Sequence, residues 1–216
     1  MRKLIFSIVL VLCLTANAQQ NPFSKEVASL VKQDSLNKPK DGMVLFVGSS
    51  SFRLWKDVNK DLDNDKILNR AFGGATLLDM IYFKDQILLN YHPSKIVIYC
   101  GENDAASSDK VDGKVVFERF KKLFKIIRKQ FPEVPLVYVS IKPCILRWNI
   151  KDKMIDANTR ISNYLSSQKF TTFINIWDAM LENNEPKKDI FREDNLHMNS
   201  KGYAIWIEKM KWIVKK

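Results

Sequence analysis

The sequence predicts an α/β protein in which helices cover both faces of an open, five-stranded parallel sheet. Short apolar runs alternate along the chain with longer amphipathic stretches. Two of these runs, residues 96–100 and 136–141, are almost entirely apolar, as is typical of strands that are buried on both faces. Strands that alternate with helices form parallel βαβ units, which place the helices on both faces of the sheet.

The five predicted strands are residues 43–47, 67–68, 96–100, 136–141 and 173–177. Helical patterns lie between them, at residues 76–90, 114–131 and 151–168. The second of these carries apolar side chains at steps of three and four residues, and it ends at Pro132 because proline cannot continue a helix. A last helix is expected to begin at Asn199 or Ser200, since both residue types are good N-caps.

The first twenty residues predict a secretory signal peptide over residues 1–18. Arg2 and Lys3 precede a short apolar run, and Ala16-Asn17-Ala18 supplies the small-x-small exit. The alternative is an ordinary buried first helix, but the run is apolar on every side. We therefore expect cleavage after Ala18 and an exported product, periplasmic or extracellular, with one domain over residues 19–216.

Positive charge dominates the chain, with 35 Lys and Arg against 24 Asp and Glu and a net charge of +11. Loss of residues 1–18 removes Arg2 and Lys3 and no acidic residue, which leaves +9. The basic residues are scattered over predicted helix faces, which is typical of a solvated surface. No zinc-finger spacing or basic-aromatic RNA-binding signature is present, so we expect no nucleic-acid partner.

After residue 20, no segment approaches the roughly 18 apolar residues of a membrane span, so we expect no stable membrane insertion after cleavage. Cys100 and Cys144 would then be the remaining cysteines. Export permits a disulfide, but two cysteines do not make a disulfide framework. Two buried free thiols are the favoured state, and a bond between them is the alternative.

Polar residues cluster where the predicted strands end, which is where ligands bind in open α/β sheets. Gly48-Ser49-Ser50-Ser51 follows the first strand and opens a helix. A serine at this position can attack an acyl carbon, while free N–H groups of the helix N-terminus receive the developing oxyanion. A serine-rich turn is also a common helix cap, and this pattern alone does not separate the two roles.

Two further turns supply candidate oxyanion donors. Phe72-Gly73-Gly74 follows the second strand, and paired glycines let a backbone N–H approach a bound oxygen. Gly101-Glu102-Asn103-Asp104 follows the third strand, and the Asn103 amide can donate to an oxyanion. A plain turn and an Asx turn are the respective alternatives.

Serine hydrolysis also needs a base and an acid that orients it. The chain has two histidines, and His92 precedes the third strand, so it should lie at the opposite edge of the sheet. His197 is by elimination the candidate base, and Asp194 can fold back in a turn to reach it. A structural Asp–His pair is the alternative, while a metal site would need more ligands than these residues supply.

Four blocks in this order resemble the SGNH, or GDSL-type, hydrolase family. The resemblance covers essentially the whole mature domain. The third block is most similar to the branch that contains the intracellular platelet-activating-factor acetylhydrolase catalytic subunits and many exported bacterial relatives. The blocks are Val47-Gly48-Ser49-Ser50, Asn69-Arg70-Ala71-Phe72-Gly73-Gly74, Gly101-Glu102-Asn103-Asp104 and Asp194-Asn195-Leu196-His197.

The resemblance implies that Ser50 is the nucleophile and that Asp194 and His197 complete a catalytic triad. It implies three oxyanion donors: the backbone N–H of Ser50, Gly74 and Asn103. It also implies a three-layer α/β/α, flavodoxin-like fold and no metal or organic cofactor.

The chain departs from the family pattern at two places. The usual Gly-Asp-Ser is Gly48-Ser49-Ser50 here, and three adjacent serines leave Ser49 and Ser51 as alternative nucleophiles. Phe52 replaces a common small polar residue and is expected to narrow the pocket.

The predicted function is therefore that of an exported serine esterase that cleaves short-chain esters, such as acetyl esters, of a small molecule or a glycan. Trp55, Arg147 and Trp148 follow strand ends or a first helical turn. They either line the mouth of the site, where aromatic rings suit a sugar, or belong to the core or the surface. The alternative function is a non-catalytic glycan- or envelope-binding protein that retains the fold.

Overall fold

The computed structural model describes residues 21–214, so the predicted signal peptide of residues 1–18 lies outside the described residues. Its centre is a five-stranded parallel sheet with the strand order β2-β1-β3-β4-β5, which is the flavodoxin-like order. The predicted fold class is confirmed. The strands are β1 (Val44–Gly48), β2 (Ile67–Asn69), β3 (Lys95–Tyr99), β4 (Leu136–Val139) and β5 (Thr171–Ile174).

Helices cover both faces of this sheet. A π-helical turn follows α4 at Asp85–Leu89, and a short antiparallel hairpin, β6 (Leu181–Glu182) and β7 (Glu185–Pro186), precedes the last helix. The α-helices are α1 (Ser24–Leu36), α2 (Ser50–Arg53), α3 (Val58–Asp61), α4 (Leu77–Tyr82), α5 (Glu102–Ala106), α6 (Gly113–Gln130), α7 (Lys151–Ser166) and α8 (Ser200–Met210).

Alternate residues of each central strand enter two separate buried clusters, one on each face of the sheet. Ile96 and Ile98 of β3 pack with α1, α4, α6 and α7, whereas Val97 and Tyr99 pack with α2, α3 and α8. This alternation is the period-two geometry of a strand, and it explains why β4 and residues 96–99 of β3 are apolar on both faces. The result is three layers, with the sheet in the middle.

Most element boundaries lie within two residues of those predicted. The exception among the strands is β5, which begins at Thr171 instead of residue 173 and ends before residues 175–177. As an edge strand, β5 pairs with β4 alone and tolerates polar side chains, while Ile176 and Trp177 are buried in the segment after it. The predicted helix over residues 76–90 is divided into α4 and the π-helical turn.

Helix α1 is absent from the sequence prediction. Val27 is its only buried residue, and its N-cap position, Phe23, offers no side-chain oxygen, so neither an apolar face nor a cap marks it. By contrast, α8 begins where expected, because the Asn199 side chain accepts the backbone N–H groups of Lys201 and Gly202.

Two other expectations concern the described part of the chain. Cys100 and Cys144 are both buried and free, which was the favoured state. Between residues 21 and 214 there is no helix with the length and apolarity needed to cross a membrane.

Candidate active site

The nucleophile candidate Ser50 is held by a tight turn between β1 and α2. Gly48 has φ of +142°, and a Cβ atom there would lie 1.9 Å from the carbonyl oxygen of Tyr99 in the neighbouring strand. Only glycine fits this position. The Ser49 N–H donates to the same Tyr99 oxygen at 2.9 Å, which fixes the start of α2 at the carboxyl end of the sheet.

The three adjacent serines differ in their surroundings. Ser49 and Ser51 are each only 2% exposed, whereas Ser50 is half-buried. The Oγ atom of Ser50 lies 3.0 Å from Nε2 of His197. The structure therefore brings Ser50, the third residue of the Gly-x-Ser pattern, to the candidate base.

His197 and Asp194 form a pair within one short turn. Nδ1 of His197 lies 2.6 Å from Oδ2 of Asp194. The other carboxylate oxygen, Oδ1, accepts the backbone N–H groups of Leu196 at 3.0 Å and His197 at 2.8 Å. Asn195 reverses the chain between them with φ of +55°, a conformation that asparagine tolerates better than most residues. Asp194 thus reaches His197 as the sequence predicts.

This turn is the tip of a loop over residues 189–199, and hydrogen bonds join the two ends of the loop. Phe191 pairs with Met198 as an isolated antiparallel bridge. The Arg192 N–H donates to the His197 carbonyl at 2.8 Å, and the Asn199 side chain donates to the Phe191 carbonyl at 2.9 Å. The loop then enters α8, whose buried residues anchor it to the core.

Electrostatics fix the role of each atom in the pair. Burial favours the neutral form of Asp194, but the hydrogen bonds from the His197 ring and from the backbone of His197 and Leu196 outweigh it and lower the pKa to about 2. An ionised carboxylate can only accept hydrogen bonds, so Nδ1 of His197 carries the proton between them. In the uncharged tautomer that carries its proton on Nδ1, Nε2 is the acceptor that faces the Ser50 hydroxyl.

The other histidine lies where the sequence places it, away from this cluster. His92 is exposed at the amino-terminal edge of the sheet, with Nδ1 3.3 Å from Oδ1 of Asp41.

The three candidate oxyanion donors follow three adjacent strands. In the sheet, β1 lies between β2 and β3, so Ser50 is flanked by the turn that contains Gly74 and by the helix that contains Asn103. Gly74 has φ of +69°, and Nδ2 of Asn103 donates to the carbonyl oxygen of Ala75 at 3.0 Å. Ser50 is the first residue of α2, so the helix makes no use of its backbone N–H.

Residues 44–205 match the sequence model of the GDSL-like Lipase/Acylhydrolase family. The chain belongs to this family. The predicted resemblance is thereby confirmed, and so is the predicted enzyme class, a hydrolase of carboxylic esters. No curated protein matches the chain by sequence.

Solved structures show that GDSL-like hydrolases share this fold at low sequence identity. A protein from Streptococcus pneumonia, described as a candidate platelet activating factor, superposes with a TM-score of 0.77 at 16% identity, over 88% of this chain and 92% of its own. A GDSL-like lipase from Bacteroides thetaiotaomicron gives 0.72 at 17% identity, over 87% and 96%. A carbohydrate esterase of family 3 from Talaromyces cellulolyticus gives 0.62 at 15% identity, over 80% and 96%.

One part of this GDSL-like hydrolase that contacts the site lies outside the family match. Helix α1 and the residue before it contact the glycine turn: the Glu26 carboxylate accepts the Gly73 N–H at 3.2 Å and also pairs with Arg53 of α2. The Phe23 ring lies 3.4 Å from the point where a Cβ atom on Gly74 would be. Sequence reasoning missed these residues, because neither periodicity nor a motif marks them.

The aromatic and basic residues expected near the mouth separate into two groups. Phe52 was expected to narrow the pocket, which is wrong: it is fully buried against Phe46 and Trp206 on the far side of α2. Trp55 also belongs to the core, 2% exposed. Arg147 lies beside Asn103, and Trp148 is half-buried and stacked on Trp177 at 6.0 Å.

Proposed function

We propose that this GDSL-like hydrolase is an exported esterase that removes short acyl groups through a covalent intermediate on Ser50. One observation carries the proposal: a continuous hydrogen-bonded line from Ser50 Oγ to His197 Nε2 at 3.0 Å, and from His197 Nδ1 to Asp194 at 2.6 Å. Both distances are within the reach that proton transfer requires.

In the first half-reaction, Ser50 Oγ attacks the carbonyl carbon of the ester while His197 Nε2 takes the hydroxyl proton. The tetrahedral intermediate collapses when its bond to the alkoxy oxygen breaks, and His197 returns the proton to that oxygen. The alcohol leaves, and the acyl group stays on Ser50. Asp194 remains ionised throughout and stabilises the imidazolium that forms each time His197 takes a proton.

In the second half-reaction, His197 takes a proton from water as the water oxygen attacks the acyl carbon of the Ser50 ester. Collapse of this intermediate returns the proton to Ser50 and releases the carboxylic acid. Negative charge develops on the carbonyl oxygen in both halves. The backbone N–H of Ser50, that of Gly74 and the Asn103 amide receive this charge, and each donor contributes about 3–4 kcal/mol.

The substrate we propose is a short acyl ester, acetyl in particular, carried by a sugar hydroxyl. The third sequence block is most similar to the acetylhydrolase branch of the family, and a carbohydrate esterase is among the proteins of similar fold. Phe23 supports a small acyl group because its ring fills space next to Gly74. The half-buried Trp148 directly follows Arg147 and suits contact with a sugar ring.

Turnover of an activated acetate ester by the mature protein tests the proposal. Ser50→Ala should abolish turnover, whereas Ser51→Ala, which removes a neighbouring buried hydroxyl, should retain most of it. A serine-directed fluorophosphonate should modify wild type once, on the peptide that contains Ser50. Unchanged turnover in Ser50→Ala, or a label on Ser49 or Ser51, would rule out Ser50 as the nucleophile.

Substrate class and export are tested separately. A panel of acetylated sugars, acetylated phospholipids and simple esters should give the highest kcat/KM for the sugars, and faster cleavage of long acyl chains would contradict the short-acyl proposal. N-terminal sequencing of the protein secreted by a bacterial host should begin at residue 19. No turnover together with binding to a glycan polymer would favour the non-catalytic alternative.

A further inference from the structure

Arg147 contacts the candidate oxyanion donor from a distant part of the chain. It lies in the segment between β4 and α7, 44 residues after Asn103. Its Nη2 atom nevertheless donates to Oδ1 of Asn103 at 3.0 Å. The Arg147 side chain is 20% exposed, so most of it is removed from solvent.

This contact determines which way the Asn103 amide points. An amide has one acceptor atom and one donor atom, which exchange places when the group is flipped. A guanidinium can only donate, so Arg147 forms a hydrogen bond with Oδ1 but would have no acceptor to offer Nδ2 at the same position. Nδ2 consequently lies on the side of the Ala75 carbonyl, to which it donates one hydrogen at 3.0 Å. Its second hydrogen is the one available to a substrate oxygen.

Arg147 is itself held by a buried carboxylate next to Asn103 in the sequence. Its Nη1 atom lies 3.3 Å from Oε1 of Glu102, whose side chain is 5% exposed. The buried Lys142 and the hydroxyl of Tyr99 contact the same carboxylate at 3.1 and 2.6 Å. Burial favours the neutral acid, but the charges of Lys142 and Arg147 keep the pKa of Glu102 below its ordinary value.

We propose that Arg147 is a positioning residue of the esterase reaction, which holds the Asn103 amide in the orientation that donates to the oxyanion. The inference rests on the proposed function. A charged donor on Oδ1 also polarises the amide, which strengthens the hydrogen bond from Nδ2. Because the oxyanion is absent from the bound ester and develops only as the tetrahedral intermediate forms, Arg147 acts on kcat and leaves KM nearly unchanged.

A double-mutant cycle with Asn103 tests this, using hydrolysis of an activated acetate ester by the mature protein. Asn103→Ala should lower kcat about a hundredfold or more. Arg147→Ala should lower kcat about tenfold, with KM within about twofold of wild type. When Asn103 is already alanine, Arg147→Ala should have no further effect beyond about twofold, because the amide through which it acts is gone.

Conservative and control variants complete the experiment. Arg147→Lys retains the positive charge and can donate to Oδ1, but it lacks the guanidinium fork. When Asn103 is present, this variant should therefore recover part of the kcat that Arg147→Ala loses. When Asn103 is alanine, Arg147→Lys and Arg147→Ala should have the same kcat. Should Arg147→Ala fail to fold, Arg147→Lys measured in both backgrounds gives the same test. Arg160→Ala removes an exposed arginine that pairs with Asp156 on α7, and it should leave kcat and KM unchanged.

Three results would overturn the inference. Equal fold-losses from Arg147→Ala in both backgrounds would mean that Arg147 acts independently of Asn103. A raised KM at unchanged kcat would mean that Arg147 binds substrate. Unchanged kcat in Arg147→Ala would remove any role for it. The Ser50→Ala variant distinguishes failure of this inference from failure of the proposed function. If Ser50→Ala is active, the proposed triad is contradicted, whatever the effect of the Arg147 variants.

Discussion

The candidate base and acid lie within four consecutive residues of one loop, whereas the three candidate oxyanion donors come from three separate segments that follow β1, β2 and β3. His197 and Asp194 hold each other through a ring contact of 2.6 Å and backbone hydrogen bonds within the same turn. Gly74 and Asn103 depend instead on residues far along the chain, because Glu26 contacts the glycine turn and Arg147 contacts the amide.

Because of this difference, substitutions should affect the acid–base pair and the candidate oxyanion donors in different ways. The acid–base pair should be more sensitive to changes in its own residues than to changes elsewhere, because the hydrogen bonds that join Asp194 to His197 lie within the turn itself. The oxyanion donors should be sensitive to substitutions at supporting positions that never touch substrate. The size of each effect then follows from whether a group takes part in bond making or only places another group.

Removal of the base should have the largest effect. His197→Ala should lower kcat about a millionfold, as when the base of other serine hydrolases is removed, because nothing else can take the Ser50 proton. His92→Ala is the matched control, since His92 is exposed at the opposite edge of the sheet. Steady-state kinetics on an activated acetate ester measures both, and comparable losses in the two variants would contradict the assignment.

Neutralisation of the acid should come next. Asp194→Asn should lower kcat about ten-thousandfold, because an amide at this position favours the wrong tautomer of His197. Asp189→Asn alters an exposed carboxylate in the same loop, paired with Lys201, and should leave kcat near wild type. A loss below about tenfold in Asp194→Asn would indicate that the Asp–His pair is structural.

Loss of the contact between α1 and the glycine turn should have a smaller effect. It tests whether the candidate oxyanion donors depend on residues far along the chain. Glu26→Ala removes the acceptor of the Gly73 N–H and the partner of Arg53. It should lower kcat about threefold to tenfold, well short of the roughly hundredfold that a large misplacement of a catalytic group costs. Glu133→Ala, at an exposed residue before β4, is the control. Identical kcat values for the two variants would mean that α1 does not position the glycine turn.

The pH dependence of stability gives the mildest test. The pKa of Asp194 is about 2 in the folded protein against an ordinary value of 3.8, so the folded state favours the ionised form. Its contribution to the free energy of unfolding is present above about pH 4 and is lost as the pH falls to about 2. Urea denaturation of wild type and Asp194→Asn should therefore show a stability difference that disappears over this range. A difference that stays constant below pH 2 would contradict the shifted pKa.

The residues of the site that lie close together in the sequence are also those whose positions the sequence predicts well. Asp194 and His197 are recognisable because their spacing alone allows a turn to join them. Ser50 is recognisable because it is the third residue of a Gly-x-Ser pattern at the end of an apolar run. The strands are predictable for a similar reason, since burial on both faces makes residues 96–99 of β3 and the whole of β4 apolar.

The distant supports are not predictable in this way. Glu26 and Arg147 contact residues that are 47 and 44 positions away, and neither lies in a recognisable pattern. Phe52 was misplaced because it stands where the family pattern commonly has a small polar residue, and a larger side chain there was expected to enter the pocket. Two residues along a helix turn a side chain to the opposite face, and Phe52 accordingly packs in the core.

The loop over residues 189–199 carries the imidazole and its carboxylate as one mechanical unit. Its bridge between Phe191 and Met198 and its internal hydrogen bonds preserve the pair, while a single contact of 3.0 Å couples the unit to the serine. A shift of this loop by about one ångström would separate His197 from Ser50 and leave the His197–Asp194 pair intact. The downfield proton NMR signal of the His197–Asp194 pair should then persist in an enzyme that no longer turns over.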